Sequence, residues 1–359
     1  QGYEFYGSDK VLLMNIKATR VKYPAARIVV LLPRSGPLSG KLQEFGNLEI
    51  IYRKLGVIRK YDFKRLNFSA ILRIIFFFRF IRYFNRFDIV YINSIVIIDC
   101  ILASRFTKAK VFLHIHELPV GFSSKIFSKL LNFSSARLIY ISEAVMKAYA
   151  GIKNNHQTVL WNGIKKLDKK TEDSISDKNK VKFLLIGRIN SWKGQPIFVK
   201  AIENLDKKLQ GQISVRIVGD VFAKQSYLKN NLKSQIDAAG LDKVITIYPY
   251  TESPEIHYSW SDIVVVPSIK PEPFGLVAIE AMSLGKAVIA SNNGGLREII
   301  EDGFNGLLFD PGNSKALSDS ITHLINNPDL ISLLGKNSLR SFEKNFCEEV
   351  YIKNFHRIL

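Results

Sequence analysis

Val265-Val-Pro-Ser-Ile-Lys-Pro-Glu272-Pro-Phe-Gly-Leu-Val-Ala-Ile-Glu280-Ala-Met282 passes from an apolar strand through a loop into a helix. The strand ends at Pro267, which cannot donate to a ladder. A helix is expected from about Phe274-Gly275 to Leu284, with Gly285 just past its end. Glu272 then stands before the helix and Glu280 inside it. The amides of Gly275, Leu276 and Val277 have no acceptor within the helix, so they form a site for an anion. Acids flanking such a site suit a ligand with phosphates in the middle and hydroxyls at both ends, which describes a nucleotide sugar.

The same strand-then-helix rhythm extends in both directions. Arg27–Pro33, Asp88–Ile92, Lys110–Ile115 and Arg137–Ile141 read as buried strands of the first half. Val181–Ile186, Ser214–Val218, Val244–Ile247, Asp262–Val266 and Ala287–Ala290 repeat the style in the second. Runs this apolar, separated by helical patterns, predict parallel sheets covered on both faces. The fold class is therefore α/β, with two doubly wound Rossmann-like domains facing a cleft. The polar run Lys165–Lys180 separates them, giving a first domain of 1–164 and a second of 165–345. The amphipathic segment 346–359 is expected to pack back on the first domain. Because the loop-like Gly7-Ser8-Asp9 comes almost at once, a first strand is expected upstream of Gln1.

A second chemical signal opens the second domain: Phe183-Leu-Leu-Ile-Gly187-Arg188-Ile-Asn-Ser-Trp-Lys193-Gly194. Gly187 at a strand end permits close approach, and Arg188 and Lys193 place two cations by the loop. Alone, such cations are usually solvated; beside the glutamate pair they suit a diphosphate and its departure.

Taken together, these motifs make the chain resemble the retaining GT-B glycosyltransferases of family 4, the glycosyl transferases group 1. Glu272 and Glu280, with seven residues between them including Pro-Phe-Gly, match that family's signature. Gly187-Arg188 with Lys193-Gly194 matches its phosphate-binding pair. Val218-Gly219-Asp220, Ala290–Glu298, Asp302–Phe309, His114-Ile-His116-Glu117, Ile141-Ser142 and Trp161-Asn162-Gly163 match in order. The resemblance implies that Arg188 and Lys193 hold the donor diphosphate with the amides of Gly275 to Val277. Phe274 and Gly187 would lie in the same donor site. Glu280 would bind the ribose, Glu272 the transferred sugar, and His116 would stand near the reacting centre. Configuration would be retained by front-face displacement, with leaving-group stabilisation supplying much of the catalysis. The donor would be a UDP- or GDP-sugar, with no cofactor and no metal. Two positions depart from the pattern. Gly7-Ser8-Asp9 replaces the usual Gly-Gly-x-Glu loop, which leaves Gly7 a weaker phosphate contact, and Tyr248-Pro249-Tyr250 replaces a glycine after the strand at 244–247.

Charge divides the two halves. The chain of 359 residues has a net charge of +19, yet residues 1–165 hold 26 basic and 9 acidic side chains while 166–359 hold 25 and 23. The first half thus seeks an anionic partner. In Lys64–Phe87, Lys64, Arg65, Arg79, Arg82 and Arg86 fall in one helical sector of about 100°. Leu72 and Ile75 lie within that sector and Arg73 away from it. A basic stripe with embedded apolar residues suits an anionic membrane surface, although a solvated helix face is the plainer alternative. No nucleic-acid motif accompanies it. No run is long and apolar enough to span a bilayer, no signal peptide is visible, and two cysteines make no disulfide framework. The expectation is a cytoplasmic enzyme, peripheral at the inner face of the membrane, acting on a saccharide acceptor that is lipid-linked. Its rivals are a GT-B-type sugar-nucleotide epimerase and a basic nucleic-acid-binding α/β protein. His114 and His116 share a strand face, but no third ligand accompanies them for a metal, and no Asp-x-Asp occurs.

Overall fold

The computed structural model describes residues 7–56, 77–119, 122–149, 151–154, 156–170, 179–222 and 225–359. Lys64, Arg65, Leu72 and Ile75 of the basic stripe lie outside these residues, as do Arg73 and, in the polar run, 171–178. The chain divides into two units, one of Gln1–Asn162 with Tyr351–Leu359 and one of Gly163–Val350.

The first unit holds two parallel sheets. Ile28–Leu32 (β1) pairs with Leu48–Tyr52 (β2). Ile89–Ile92 (β3), Lys110–Ile115 (β4), Arg137–Tyr140 (β5) and Gln157–Val159 (β6) pair in that order. The strands at 48–52 and 157–159 escape a reading by apolar runs because Glu49 interrupts the first and the second is three residues long with Gln157 and Thr158 polar. The helix Gly7–Lys22 serves both sheets. Its Ile16 packs with Val30, Leu32, Leu38 and Leu42, while Val11 and Ala18 pack with Phe112, Ile139 and Leu160.

The chain's last helix, Glu348–Ile358, joins that second cluster. Tyr351 and Phe355, four residues apart and so on one helix face, are both buried there. Burial of an aromatic side chain of this kind contributes about 1.5–3 kcal/mol. Lys22 Nζ donates to the His356 carbonyl at 2.5 Å, and Lys110 Nζ to the Leu359 carbonyl at 2.7 Å, satisfying acceptors at the helix end.

The second unit is one six-stranded parallel sheet. Its strands in sequence are Val181–Ile186 (β7), Ile213–Val218 (β8), Ile245–Tyr248 (β9), Ile263–Val266 (β10), Ala287–Ser291 (β11) and Leu307–Phe309 (β12). Across the sheet they run β12-β11-β10-β7-β8-β9. The chain winds outward from β7 through β8 to β9, returns to the other side of β7 at β10, and winds outward again. This reversal makes the carboxyl ends of β7 and β10 the switch point, where ligands of such sheets bind. The core between strands and helices is apolar throughout. In Ser314–Ile325, Leu317, Ile321 and Leu324 at helical spacing are fully buried on it. Part of the polar run at 165–180 is held to this unit: the amides of Leu167 and Lys170 donate to the hydroxyls of Ser283 and Ser259.

Candidate functional site

Both chemical motifs lie where β7 and β10 end. After β10 the chain turns at Pro267 into the Glu272 loop; after β7 it turns at Gly187 into the Lys193 loop. Asn190 shapes the latter by accepting from the amides of Trp192 and Lys193 through Oδ1, at 3.0 and 2.9 Å. The Ile269 amide donates to the Trp192 carbonyl at 2.7 Å, tying the two loops together. Gly194, at φ 81°, follows immediately. A Cβ there would stand 1.8 Å from the Pro267 carbonyl oxygen, so only glycine allows this approach. The other flank is similar. At Gly294 a Cβ would meet the Glu272 backbone oxygen at 2.3 Å, and the Gly295 amide donates to that oxygen at 2.8 Å.

The result of this close packing is a contact between the two motifs. Lys193 Nζ lies 2.6 Å from Glu272 Oε1, and the Ser268 hydroxyl donates to the same oxygen at 2.5 Å. Glu272 is buried, so its charge requires such partners. Arg188 lies on the same loop as Lys193, with its guanidinium 3.8 Å from the centre of the Phe222 ring that follows β8. Gln195 Nε2 donates to the Arg188 carbonyl at 3.0 Å.

Leu276–Ser283 forms the expected helix, with Gly275 at its N-cap and Gly285 beyond its end at φ 67°. The amides of Ala278 and Ile279 return to the Gly275 carbonyl, as in any first turn, leaving those of Gly275, Leu276 and Val277 at the mouth. Phe274 turns inward instead, buried edge-on against Phe346 with ring centres 6.1 Å apart. Its side chain therefore anchors the loop in the core. Glu280 is buried, and the fully buried Tyr258 donates its hydroxyl to Glu280 Oε2 at 2.7 Å. Tyr258 belongs to the helix Glu255–Trp260. Arg216 on β8 packs its guanidinium 4.0 Å from the Trp260 ring centre, which holds that helix down.

Ser268, Asn190 and Tyr258 are thus site residues that the motif reading leaves out. Ser268 was within reach, being a hydroxyl four residues before Glu272 in the quoted stretch. Tyr258 carries no such local signal, since it comes from a separate helix.

In the first unit, Gly7 opens the helix Gly7–Lys22. His116 follows β4, with its Nε2 3.1 Å from Asn93 Oδ1 and its ring centre 4.2 Å from that of His114. Desolvation lowers His116 to about 3 and, with the neighbouring imidazole, holds His114 well below the ordinary value. Both rings are neutral at physiological pH, although His116 keeps a partly exposed edge. Among the described residues, no three His, Cys, Asp or Glu side chains gather for a metal.

Residues 167–341 match the family model of glycosyl transferases group 1. Over 246 residues the chain is 29% identical to an uncharacterized glycosyltransferase of Methanocaldococcus jannaschii, covering 67% of this chain and 64% of that protein. Over 172 residues it is 31% identical to the lipopolysaccharide 1,2-N-acetylglucosaminetransferase of Salmonella typhimurium, covering 46% of this chain and 45% of the relative. Each match thus spans less than two thirds of the curated relative's length. Anabaena HepE, solved in complex with UDP and glucose, has a TM-score of 0.81 at 22% identity, covering 99% of this chain and 96% of that one. Residues 167–341 are thus similar to the glycosyl transferases group 1, and the chain has the α/β fold of the GT-B glycosyltransferases.

Proposed function

We propose that the chain is a retaining glycosyltransferase that moves a sugar from a UDP- or GDP-sugar to a saccharide acceptor without a metal. The observation that carries this reading is the Lys193–Glu272–Ser268 cluster at the switch point, beside the helix that starts at Leu276. Lys193 and Arg188, with the helix amides, neutralise the diphosphate in the bound donor and as it leaves. Glu272 steadies Lys193 through Oε1 and takes a hydroxyl of the transferred sugar on Oε2. Glu280, held by Tyr258 on Oε2, takes the ribose hydroxyls on Oε1. His116, a neutral imidazole, is the group that its motif assigns to the reacting centre. The UDP and glucose in HepE support a nucleotide-sugar donor for a chain of this fold.

In this reading the unit ending at Asn162 receives the acceptor, which is lipid-linked, and the enzyme sits at the inner face of the membrane. Three features support the surface role: the excess of basic residues in 1–165, the exposed Arg79, Arg82 and Arg86, and the exposed rings of Phe78, Phe106 and Phe133. Among the described residues no helix is long and apolar enough to cross a membrane. The Salmonella relative, by its name an enzyme of lipopolysaccharide, points the same way.

The deciding experiment is a thermal-shift screen of UDP-, GDP- and ADP-sugars on the wild type, Glu280→Ala and Lys193→Ala. Stabilisation of the wild type by one nucleotide sugar, weakened in both variants, supports the reading; no stabilisation by any of them sinks it. Turnover of a stabilising donor to an epimer without acceptor would transfer the site to the epimerase reading.

A further inference from the structure

The first unit contains a buried polar chain that the motifs do not account for. Tyr351 of the last helix donates its hydroxyl to Asn15 Oδ1 at 2.5 Å. Asn15 Nδ2 donates to the Tyr91 hydroxyl at 3.2 Å, and that hydroxyl stands 2.8 Å from His114 Nδ1. Tyr351, Asn15 and His114 are buried, so none of these groups has water as an alternative partner. The chain joins residues 336, 76 and 23 positions apart, and ends on the ring that lies against His116.

The direction of the chain has a chemical consequence. With its oxygen accepting from Asn15, the Tyr91 hydroxyl can give its own proton to His114 Nδ1, and in that arrangement a neutral His114 carries its proton on Nε2. That Nε2 is buried and meets no hydrogen-bond partner among the described residues. His116 is fixed in a parallel way. Asn93 Nδ2 donates to the Ser8 carbonyl at 3.0 Å, which turns its Oδ1 towards His116 Nε2 and places the His116 proton there. Two neutral rings, each in one tautomer, therefore face each other on one side of β4.

We propose that Tyr91, held by Asn15 and by Tyr351 of the last helix, is a positioning residue that fixes the His114 tautomer and, through ring contact, the placement of His116. This rests on the reading of His116 as a group of the reacting centre. Without the Tyr91 hydroxyl, Asn15 Nδ2 and His114 Nδ1 lose their partners together, and the His114 ring is free to exchange tautomers against its neighbour. The last helix then contributes to the reacting centre through Tyr351, in addition to the packing supplied by Phe355.

Selective 15N labelling of the histidine imidazoles tests the chain independently of turnover. Wild type, Tyr91→Phe, Tyr351→Phe and Phe355→Leu are compared by imidazole NMR, by melting temperature, and by kcat and donor KM. The wild-type His114 signal should be that of a single Nε2–H tautomer, and it should move towards a tautomer mixture in both tyrosine variants. In Tyr91→Phe, kcat should fall about tenfold with donor KM within about twofold, and in Tyr351→Phe about threefold. Phe355→Leu should lower the melting temperature yet leave the His114 signal and kcat in place. An unchanged His114 signal in both tyrosine variants overturns the proposal, as does a Phe355→Leu protein that reproduces their kinetics. Should the wild type transfer no sugar, the glycosyltransferase reading falls, and the NMR comparison alone decides whether the chain sets the tautomer. If Tyr91→Phe does not fold, Tyr351→Phe at the far end of the chain decides alone.

Discussion

Lys193 Nζ and Glu272 Oε1 stand 2.6 Å apart although 79 residues separate them in sequence. The contact requires Gly194 to pass against Pro267 and Gly294 to pass against Glu272 itself, so the charge pair is built from backbone packing outward. An ammonium bonded to a buried carboxylate is pre-oriented, and that spares the donor diphosphate the entropy of ordering a long side chain.

Replacing Lys193 with Ala should affect both stability and catalysis. Among the described residues buried Glu272 then keeps its bond from Ser268 alone, and the donor loses a cation on its diphosphate. We expect about 1–3 kcal/mol of destabilisation and a fall in kcat/KM of about a hundredfold or more. Chemical denaturation and steady-state kinetics measure the two separately, and unchanged kcat/KM would remove Lys193 from the donor site.

Tyr258→Phe removes one oxygen that is fully buried and donates to Glu280 Oε2. Glu280 then loses its anchor, so the effect should appear on nucleotide affinity, weakened by about 1–2 kcal/mol, with a smaller change in kcat. Calorimetric titration with the nucleoside diphosphate tests this, and equal affinity in both proteins would contradict it.

Gly194→Ala places a methyl where only 1.8 Å separates it from the Pro267 oxygen, at a φ of 81° that alanine resists. One of the two loops must move and separate Lys193 from Glu272. Loss of donor-induced stabilisation in thermal shift, with a lowered melting temperature, is the expected result. Gly211→Ala, where a Cβ meets nothing within 4 Å, is the control and should leave both intact.

Acid should weaken the fold through the histidine pair. Burial lowers His116 from its ordinary 6.5 to about 3 and lowers His114 as well. Below pH 6.5 the unfolded chain takes up protons that these folded rings refuse, so stability declines from pH 6.5 towards 3. Above that window both states are neutral and the pair has no effect. Melting temperatures from pH 7.5 to 4.5 should therefore fall less steeply for His116→Gln than for the wild type.

Reversing the charge of Arg79, Arg82 and Arg86 with Glu should reduce binding to anionic vesicles, the more so at low salt. Flotation with phosphatidylglycerol vesicles, alongside an RNA gel shift at physiological salt, measures this. Binding to RNA but not to vesicles would overturn the membrane role.

Much of this protein was legible from residue order. Apolar runs of strand length announce parallel sheets, because a strand covered on both faces has no polar side to show. Glu272, Glu280 and the amides between them are close in sequence, so one loop and one helix suffice to place them. Phe274 shows what such reading leaves out. The motif places its backbone beside the helix start, and the fold adds that its ring is buried against Phe346, seventy-two residues on.

The sequence by itself determined the α/β class, the glutamates flanking a helix start and the concentration of positive charge in residues 1–165, because each depends on local order or on counting. The tertiary structure alone decided that Lys193 meets Glu272, that Tyr258 holds Glu280, and that Tyr351 reaches His114 through Asn15 and Tyr91. Those contacts depend on strand order and on helices packing across the sheet. Local periodicity sets the faces of each element, but it does not say which faces meet.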